Sequence, residues 1–254
     1  MTWKFSFIAS PAPDAQAAAQ HLAALYGNTR QQEADVIVAL GGDGFMLQTL
    51  HEQMNSGRAV YGMNRGSIGF LMNDYSDEDL PGRINAAVEN IIRPLEMVAK
   101  DAHGATHKAL AINEVSLLRQ SYQAAKLKLS VDGLERMEEL ICDGLRVATP
   151  AGSTAYNLSA HGPILPLDAQ LLALTPVSPF RPRRWRGALL PNKVKVTIDV
   201  LESDKRPVNA VADHIEVKSV TQVQVAESQE STTRILTDSS HSWNDRILAE
   251  QFLY

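Results

Sequence analysis

The chain has 254 residues, 44% of them hydrophobic and 21% charged, which excludes a disordered chain and is enough for two modest domains or one large one. With 24 basic against 29 acidic residues, the net charge of −5 argues against a nucleic-acid partner. A single cysteine, Cys142, excludes an internal disulfide and a CxxC metal site, and no run approaches the ~18 to 20 apolar residues that cross a bilayer, so a cytoplasmic protein without a membrane partner is expected.

In chain order, Trp3–Ile8 reads as the first strand and the Ala-rich segment from Pro13 to Leu25 as a helix, with Pro and Asp at its start and Gly27 at its stop. The apolar run Val36–Leu40 is a buried strand, Phe45 to about Met54 a helix, and Ala59–Met63 the next strand. A second glycine-bearing loop, Asn64 to Phe70, follows. Leu80 to Ile91 carries apolar residues at 80, 84, 87, 88 and 91, which predicts an amphipathic helix. Alternating strands and helices imply a Rossmann-like parallel sheet, so residues 1–93 are read as an α/β domain.

After Arg93-Pro94 the period changes to two, as in Lys126–Val131 and Val194–Val200. Further strands are expected at 106–119, 145–148, 207–217 and 220–226, with hairpin turns at Asp132-Gly133 and His103-Gly104. Residues 94–240 are therefore read as an all-β, sandwich-like domain, and 241–254 as a tail packing back on the first domain.

The chemistry is concentrated in a few places. Gly41-Gly42-Asp43-Gly44 follows directly on a buried strand and precedes a helix. Ligands of open α/β sheets bind beyond the carboxyl ends of the strands, and glycines free to take positive φ let amides approach phosphate oxygens beside the Asp43 carboxylate. A tight turn with an incidental Asp is the alternative. The segment from Asp143 to Pro166, DGLRVATPAGSTAYNLSAHGPILP, is rich in hydroxyls and turn formers. Ser153 and Thr154 are candidates to cap a short helix, and Tyr156 to stack on adenine or else to fill the core. Asn113-Glu114 lies between two apolar strands, either gripping a ribose diol or facing solvent on a hairpin edge. Asp213-His214 is placed similarly. Arg181, Arg183, Arg184 and Arg186 form a basic cluster, read as a solvated loop or subunit contact rather than a triphosphate site. The Asn157-Leu158-Ser159 sequon is read as coincidence. No Walker A, GxGxxG or HExxH sequence occurs, which removes P-loop kinases, ordinary Rossmann dehydrogenases and zincins.

Together these motifs resemble the NAD kinase family: GGDG, Gly62-Met63-Asn64 through Gly69-Phe70-Leu71, Asn113-Glu114, and Asp143-Gly144 followed by TPAGSTAY at 149–156 stand in that family's order and spacing. The resemblance implies a kinase converting NAD to NADP with ATP, polyphosphate being an open alternative donor, and an active site in the crevice between the two domains. It implies that Asp43 is the catalytic base at the ribose 2′-hydroxyl, that Asn113 and Glu114 hold the dinucleotide, and that Thr154, Ala155 and Tyr156 line the adenine pocket. Asp143, Ser159, Asp213 and His214 would complete the site, and Phe70 would wall it. The amides of Gly41, Gly42 and Gly44 would meet donor phosphates, with Mg²⁺ arriving on the donor and no metal ligand supplied by the chain. A homodimer or homotetramer is implied, each site completed by a neighbouring subunit. Phe45 and His161 depart from the family pattern. The competing readings are a lipid kinase sharing GGDG and a non-catalytic NAD(P) sensor.

Overall fold

The computed structural model describes residues 3–66 and 69–239. The expected packing of residues 241–254 lies outside that range. Two units are formed: one runs to Ile92 and resumes at Glu230, and the other spans Arg93–Gln229.

In the first unit β1 (Phe5–Ala9), β2 (Val36–Gly41) and β3 (Ala59–Asn64) pair in parallel. Every residue of β2 is buried, as continuous apolar strands of parallel sheets are when helices cover both faces. On one face α1 (Pro13–Tyr26) packs Ala15, Ala18 and Leu22 on Phe7, Val36, Val38 and Leu40. On the other lies α2 (Asp43–Glu52), whose Met46 sulfur is 3.0 Å from where a Cβ on Gly62 would stand. This helix begins at Asp43, two residues before the expected start, with Gly42 as its N-cap.

The helix expected over 80–91 is cut short. Here α3 (Leu80–Ala86) is followed at once by β4 (Val88–Ile92). Asp79 caps α3 by accepting from the amide of Gly82 at 3.1 Å, and Ala87 turns to extended backbone. Val88, Ile91 and Ile92 are β-branched and favour a strand once a partner edge is available.

The second unit contains β5 (Leu95–Asp101), β6 (Thr106–Ala111), β7 (Glu114–Arg119), β8 (Ala125–Val131), β9 (Leu134–Cys142) and β10 (Gly144–Ala148). After a 3₁₀ turn (Ala151–Thr154) and the single-turn α4 (Tyr156–Ser159) come β11 (Leu171–Val177), β12 (Ala188–Pro191), β13 (Val196–Val200), β14 (Val208–Ala212), β15 (Ile215–Val217) and β16 (Val220–Glu227). Two six-stranded antiparallel sheets result, in the orders β12-β11-β10-β7-β14-β15 and β6-β5-β16-β13-β8-β9. Leu117, Leu145, Val147 and Leu174 of the first sheet share a core with Met97, Leu127, Ile198 and Val223 of the second. Asp132 (φ 51°) and Gly133 (φ 77°) turn the β8–β9 hairpin, both in the left-handed region that a two-residue primed turn requires.

Six connections carry the chain from one sheet of the sandwich to the other, and two of them hold candidate site residues. Between β6 and β7 it leaves the second sheet for the first at Ile112-Asn113, so Asn113-Glu114 is a corner and not a hairpin edge. Between β9 and β10 it crosses again at Asp143.

The chain then returns to the first unit, ten residues before the boundary expected at 240. The last described strand, β17 (Thr233–Thr237), pairs in parallel with β3 and antiparallel with β4. It buries Ile235 and Leu236 and satisfies the backbone edges of both neighbours. No helix among the described residues is long and apolar enough to cross a membrane.

Candidate functional site

Asp43 is the first residue of α2 and stands just beyond the carboxyl end of β2. Its carboxylate accepts from the backbone amides of Phe70 (2.8 Å) and Leu71 (3.0 Å), which fastens the 69–71 loop over the helix start. Gly69 makes this approach possible, since a Cβ there would stand 3.2 Å from Asp43 Oδ1 and 2.8 Å from Met72 Cγ. Arg65 donates its amide to the Gly41 carbonyl at 2.8 Å and brings the second glycine loop beside the first.

The glycines of GGDG serve space rather than unusual dihedrals. None of Gly41, Gly42 and Gly44 has positive φ, contrary to the expected freedom to adopt it. A Cβ on Gly42 or Gly44 would meet nothing within 4 Å, so packing does not demand glycine at either position. Gly41 is different: the Phe45 side chain lies 3.0 Å from where its Cβ would be, which gives the unusual Phe45 a packing role under the turn. Phe70 is half-buried.

In the second unit, the corner Ile112–Glu114 is held by Asp213. The turn joining β14 to β15 places Asp213 at φ 50° and folds its carboxylate back onto three consecutive amides, Ile112 (2.6 Å), Asn113 (3.0 Å) and Glu114 (3.1 Å). The neighbouring His214 is exposed. Thr149 closes the corner from the other side, its hydroxyl donating to the Ile112 carbonyl at 2.7 Å and its amide to the Asn113 carbonyl at 2.9 Å. Gly152 comes so near that a Cβ would lie 2.2 Å from the Asn113 oxygen.

The 149–166 segment is fastened from within. Ser153 does not cap α4; its hydroxyl donates to the Pro150 carbonyl and accepts from the Leu165 amide at 2.9 Å. Asn157 is fully buried, donating to the carbonyls of Ser153 and Pro163 and accepting from the Thr175 hydroxyl at 2.7 Å. His161 sits at φ 61°, the conformation a glycine would adopt without cost. Thr154 is buried and Ala155 half-buried, whereas Tyr156 is 53% exposed and does not fill the core.

One side chain absent from the expected set stands out. Arg146, in the middle of β10, is wholly buried. It lies on the sheet face opposite the sandwich core, because its neighbours Leu145 and Val147 point into that core. Its guanidinium is 3.3 Å from the centroid of the Tyr156 ring, and its Nη1 donates to the Tyr156 carbonyl at 3.2 Å. Nothing in the DGLRVATP pattern marks this arginine, since alternate positions of an exposed strand are ordinarily polar.

Five buried side-chain atoms among the described residues have no hydrogen-bond partner, and four belong to this cluster: Asn113 Oδ1, Glu114 Oε2, and Arg146 Nε and Nη2. Each such group costs about 1–3 kcal/mol in a folded chain, so their concentration at one corner is what a polar ligand's site requires. Burial and the nearby Asp213 carboxylate push the Glu114 carboxyl up to about 7, against the opposing pull of Arg146.

Two expected residues stand apart. Gly144 pairs with Leu118 at one end of β10 and Ala148 with Glu114 at the other, which puts Asp143 roughly 13 Å or more along the strand from the corner. Asp143 is instead ion-paired to Arg119 at 2.6 Å. Ser159 is exposed at the end of α4. No cluster of three or more His, Cys, Asp or Glu side chains among the described residues could hold a metal ion.

The profile of the ATP-NAD kinase C-terminal domain matches residues 112–237, from the Asn113-Glu114 corner to the end of β17. An NAD kinase of Rhizobium meliloti is 70% identical over 97% of this chain and 96% of its own length. One from Mesorhizobium japonicum is 65% identical over 98% and 97%. Among solved structures, a yeast NADH kinase complexed with NADH superposes with a TM-score of 0.83 at 21% identity, covering 99% of this chain and 87% of that one. An Archaeoglobus fulgidus NAD kinase in complex with ATP gives 0.74 at 23% identity, covering 95% and 96%. The fold is shared with both, and the chain belongs to the NAD kinase family.

Proposed function

We infer that this protein is an NAD kinase, transferring the terminal phosphoryl group of ATP to the 2′-hydroxyl of the adenosine ribose of NAD. The observation that carries the residue assignment is the placement of Asp43: one carboxylate, beyond the end of a buried parallel strand, oriented by two backbone amides and flanked by Gly42 and Gly44, whose missing side chains are not required by packing. A carboxylate oxygen has acceptor capacity for more than one donor. As the bond from the ribose oxygen to phosphorus forms and the bond to the ADP oxygen breaks, Asp43 takes the hydroxyl proton. Phosphoryl transfer passes through a loose transition state, so alignment and charge stabilisation supply most of the acceleration.

The dinucleotide is held by Asn113 and Glu114 and by the face of Thr154, Ala155 and Tyr156, with Phe70 as a wall and Asp213 and His214 at the corner's edge. A carboxylate and an amide oxygen, both buried and unpartnered, are the acceptors that a vicinal diol and an exocyclic amine supply donors for. The amides of Gly41, Gly42 and Gly44 meet the donor phosphates, and Mg²⁺ accompanies the donor as part of the substrate. Asp143, remote from the corner in its own chain, and Ser159 at the end of α4 contribute in a homodimer or homotetramer, Asp143 by reaching a neighbour's site. The compartment is the cytoplasm.

The test is NADP formation from NAD, ATP and Mg²⁺, followed with an NADP-specific dehydrogenase, beside NAD binding by calorimetry. Turnover in the wild type that collapses in Asp43→Asn, with NAD still bound, supports the kinase and its base. Binding without turnover would make the protein a sensor.

A further inference from the structure

The family reading leaves Arg146 without a task, although it is a fully buried cation, and a structure keeps such a group only where something repays the desolvation. No carboxylate among the described residues accepts a hydrogen bond from it. Its Nη1 donates to the Tyr156 carbonyl, its face is covered by the Tyr156 ring, and its other two nitrogens have no partner. Tyr156 is the exposed aromatic of the site, so the guanidinium fixes both the backbone and the ring from beneath.

Arg146 also stands diagonally across from Glu114, because Arg146 pairs with Ser116 and Ala148 with Glu114 on neighbouring antiparallel strands. Diagonal neighbours on one sheet face lie roughly 7–8 Å apart, close enough for two opposite charges to interact in a buried setting. The other charged group acting on Glu114 is Asp213, in the turn that holds the corner, and it acts in the opposite sense. Tyr156 of α4 lies over Arg146, and the exposed His214 follows Asp213 in the turn.

We propose that Arg146 is a positioning residue of the dinucleotide site: it holds Tyr156 from below and sets a positive charge diagonally across the strands from Glu114, the group that receives substrate hydroxyls. This rests on the NAD kinase reading and adds a residue to it. Without that charge, Glu114 would be left with burial and Asp213, both of which favour its protonated form, and would keep its proton to higher pH. A protonated carboxyl accepts poorly from a diol. Arg146 touches neither substrate in this scheme; it acts through Glu114 and Tyr156.

The experiment is the pH dependence of kcat/KM for NAD and of NAD affinity by calorimetry, for wild type, Arg146→Met and Arg146→Lys, with thermal melting of each. In the wild type, both should rise with pH along a limb near neutrality. In Arg146→Met the limb should move up by about one pH unit, the effect of one removed opposite charge, with KM raised more than kcat lowered. Arg146→Lys keeps the charge without the planar fork, so its limb should stay in place while KM rises. A purely structural Arg146 would lower kcat/KM equally at every pH; that outcome, or wild-type affinity in Arg146→Met, overturns the proposal. If Arg146→Met does not fold, a displaced limb in Arg146→Lys overturns it and an unmoved limb with raised KM supports it. A wild type that neither binds NAD nor turns over overturns the kinase reading instead.

Discussion

Asp43 and Phe70 are joined by a 2.8 Å hydrogen bond from the Phe70 amide to Asp43 Oδ2, across 27 residues of sequence. The same carboxylate that we assign as base therefore also fastens the loop that carries Phe70, and its second oxygen fastens Leu71. Asparagine at this position offers one acceptor oxygen for two amides. Asp43→Asn should lower kcat for NADP formation about 10²- to 10⁴-fold, the usual contribution of a general base, and cost about 1–3 kcal/mol in urea unfolding for the amide left unpaired. Turnover within a few-fold of wild type would remove Asp43 from the chemistry.

Glu114 binds its proton more tightly in the folded protein, at about 7, than an ordinary side chain does at 4.5. Its protonation thus favours the fold, fully below pH 4.5, and that contribution is lost as pH rises from 4.5 through 7. Above 7 the buried carboxylate is a burden on the ligand-free protein. Glu114→Gln removes it, so at pH 8 the variant should be the more stable by up to about 3 kcal/mol, while at pH 4.5 the two should melt alike. NAD affinity should move the other way, falling in the variant. Calorimetric melting across that range checks the first, and NAD titration the second.

Two glycines should respond oppositely to alanine. Gly152→Ala would place a methyl 2.2 Å from the Asn113 carbonyl oxygen, so backbone must shift at the corner; a loss of about 1–3 kcal/mol and weakened NAD binding are expected. Gly42→Ala adds a methyl with nothing within 4 Å, at a φ of −116° that any residue adopts. Its melting temperature should be unchanged and its turnover reduced, because the methyl occupies space beside the amides assigned to the donor. A stable, fully active Gly42→Ala would argue against that assignment.

Asn157 satisfies two carbonyls and one hydroxyl in a fully buried setting. Asn157→Leu keeps the volume but leaves all three unpaired, at about 1–3 kcal/mol for each group that water does not reach. Denaturant unfolding should show a loss of several kcal/mol.

Local physics is legible in the chain where a feature is made by neighbours in sequence. The buried run Val36–Leu40 running into GGDG, the primed turn at Asp132-Gly133 and the alternation of β8 all depend on residues a few positions apart. Residues 88–92 show the limit. Their apolar spacing suits a helix, yet they form β4 because β17, arriving from residue 233, offers a strand edge that no local pattern announces. The site divides in the same way. Which residues carry carboxylates, amides and glycines was readable, as was the family they resemble. That Asp213 clamps the amides of 112–114, that Asp143 stands at the far end of its strand, and that Arg146 lies under Tyr156 were decided by sheet pairing. Sequence by itself determined the chemical groups and the short turns that display them, because those energies are local. Tertiary structure alone decided which groups meet and which are buried without a partner, because register between strands distant in sequence sets each distance, and burial then sets the strength of every charge.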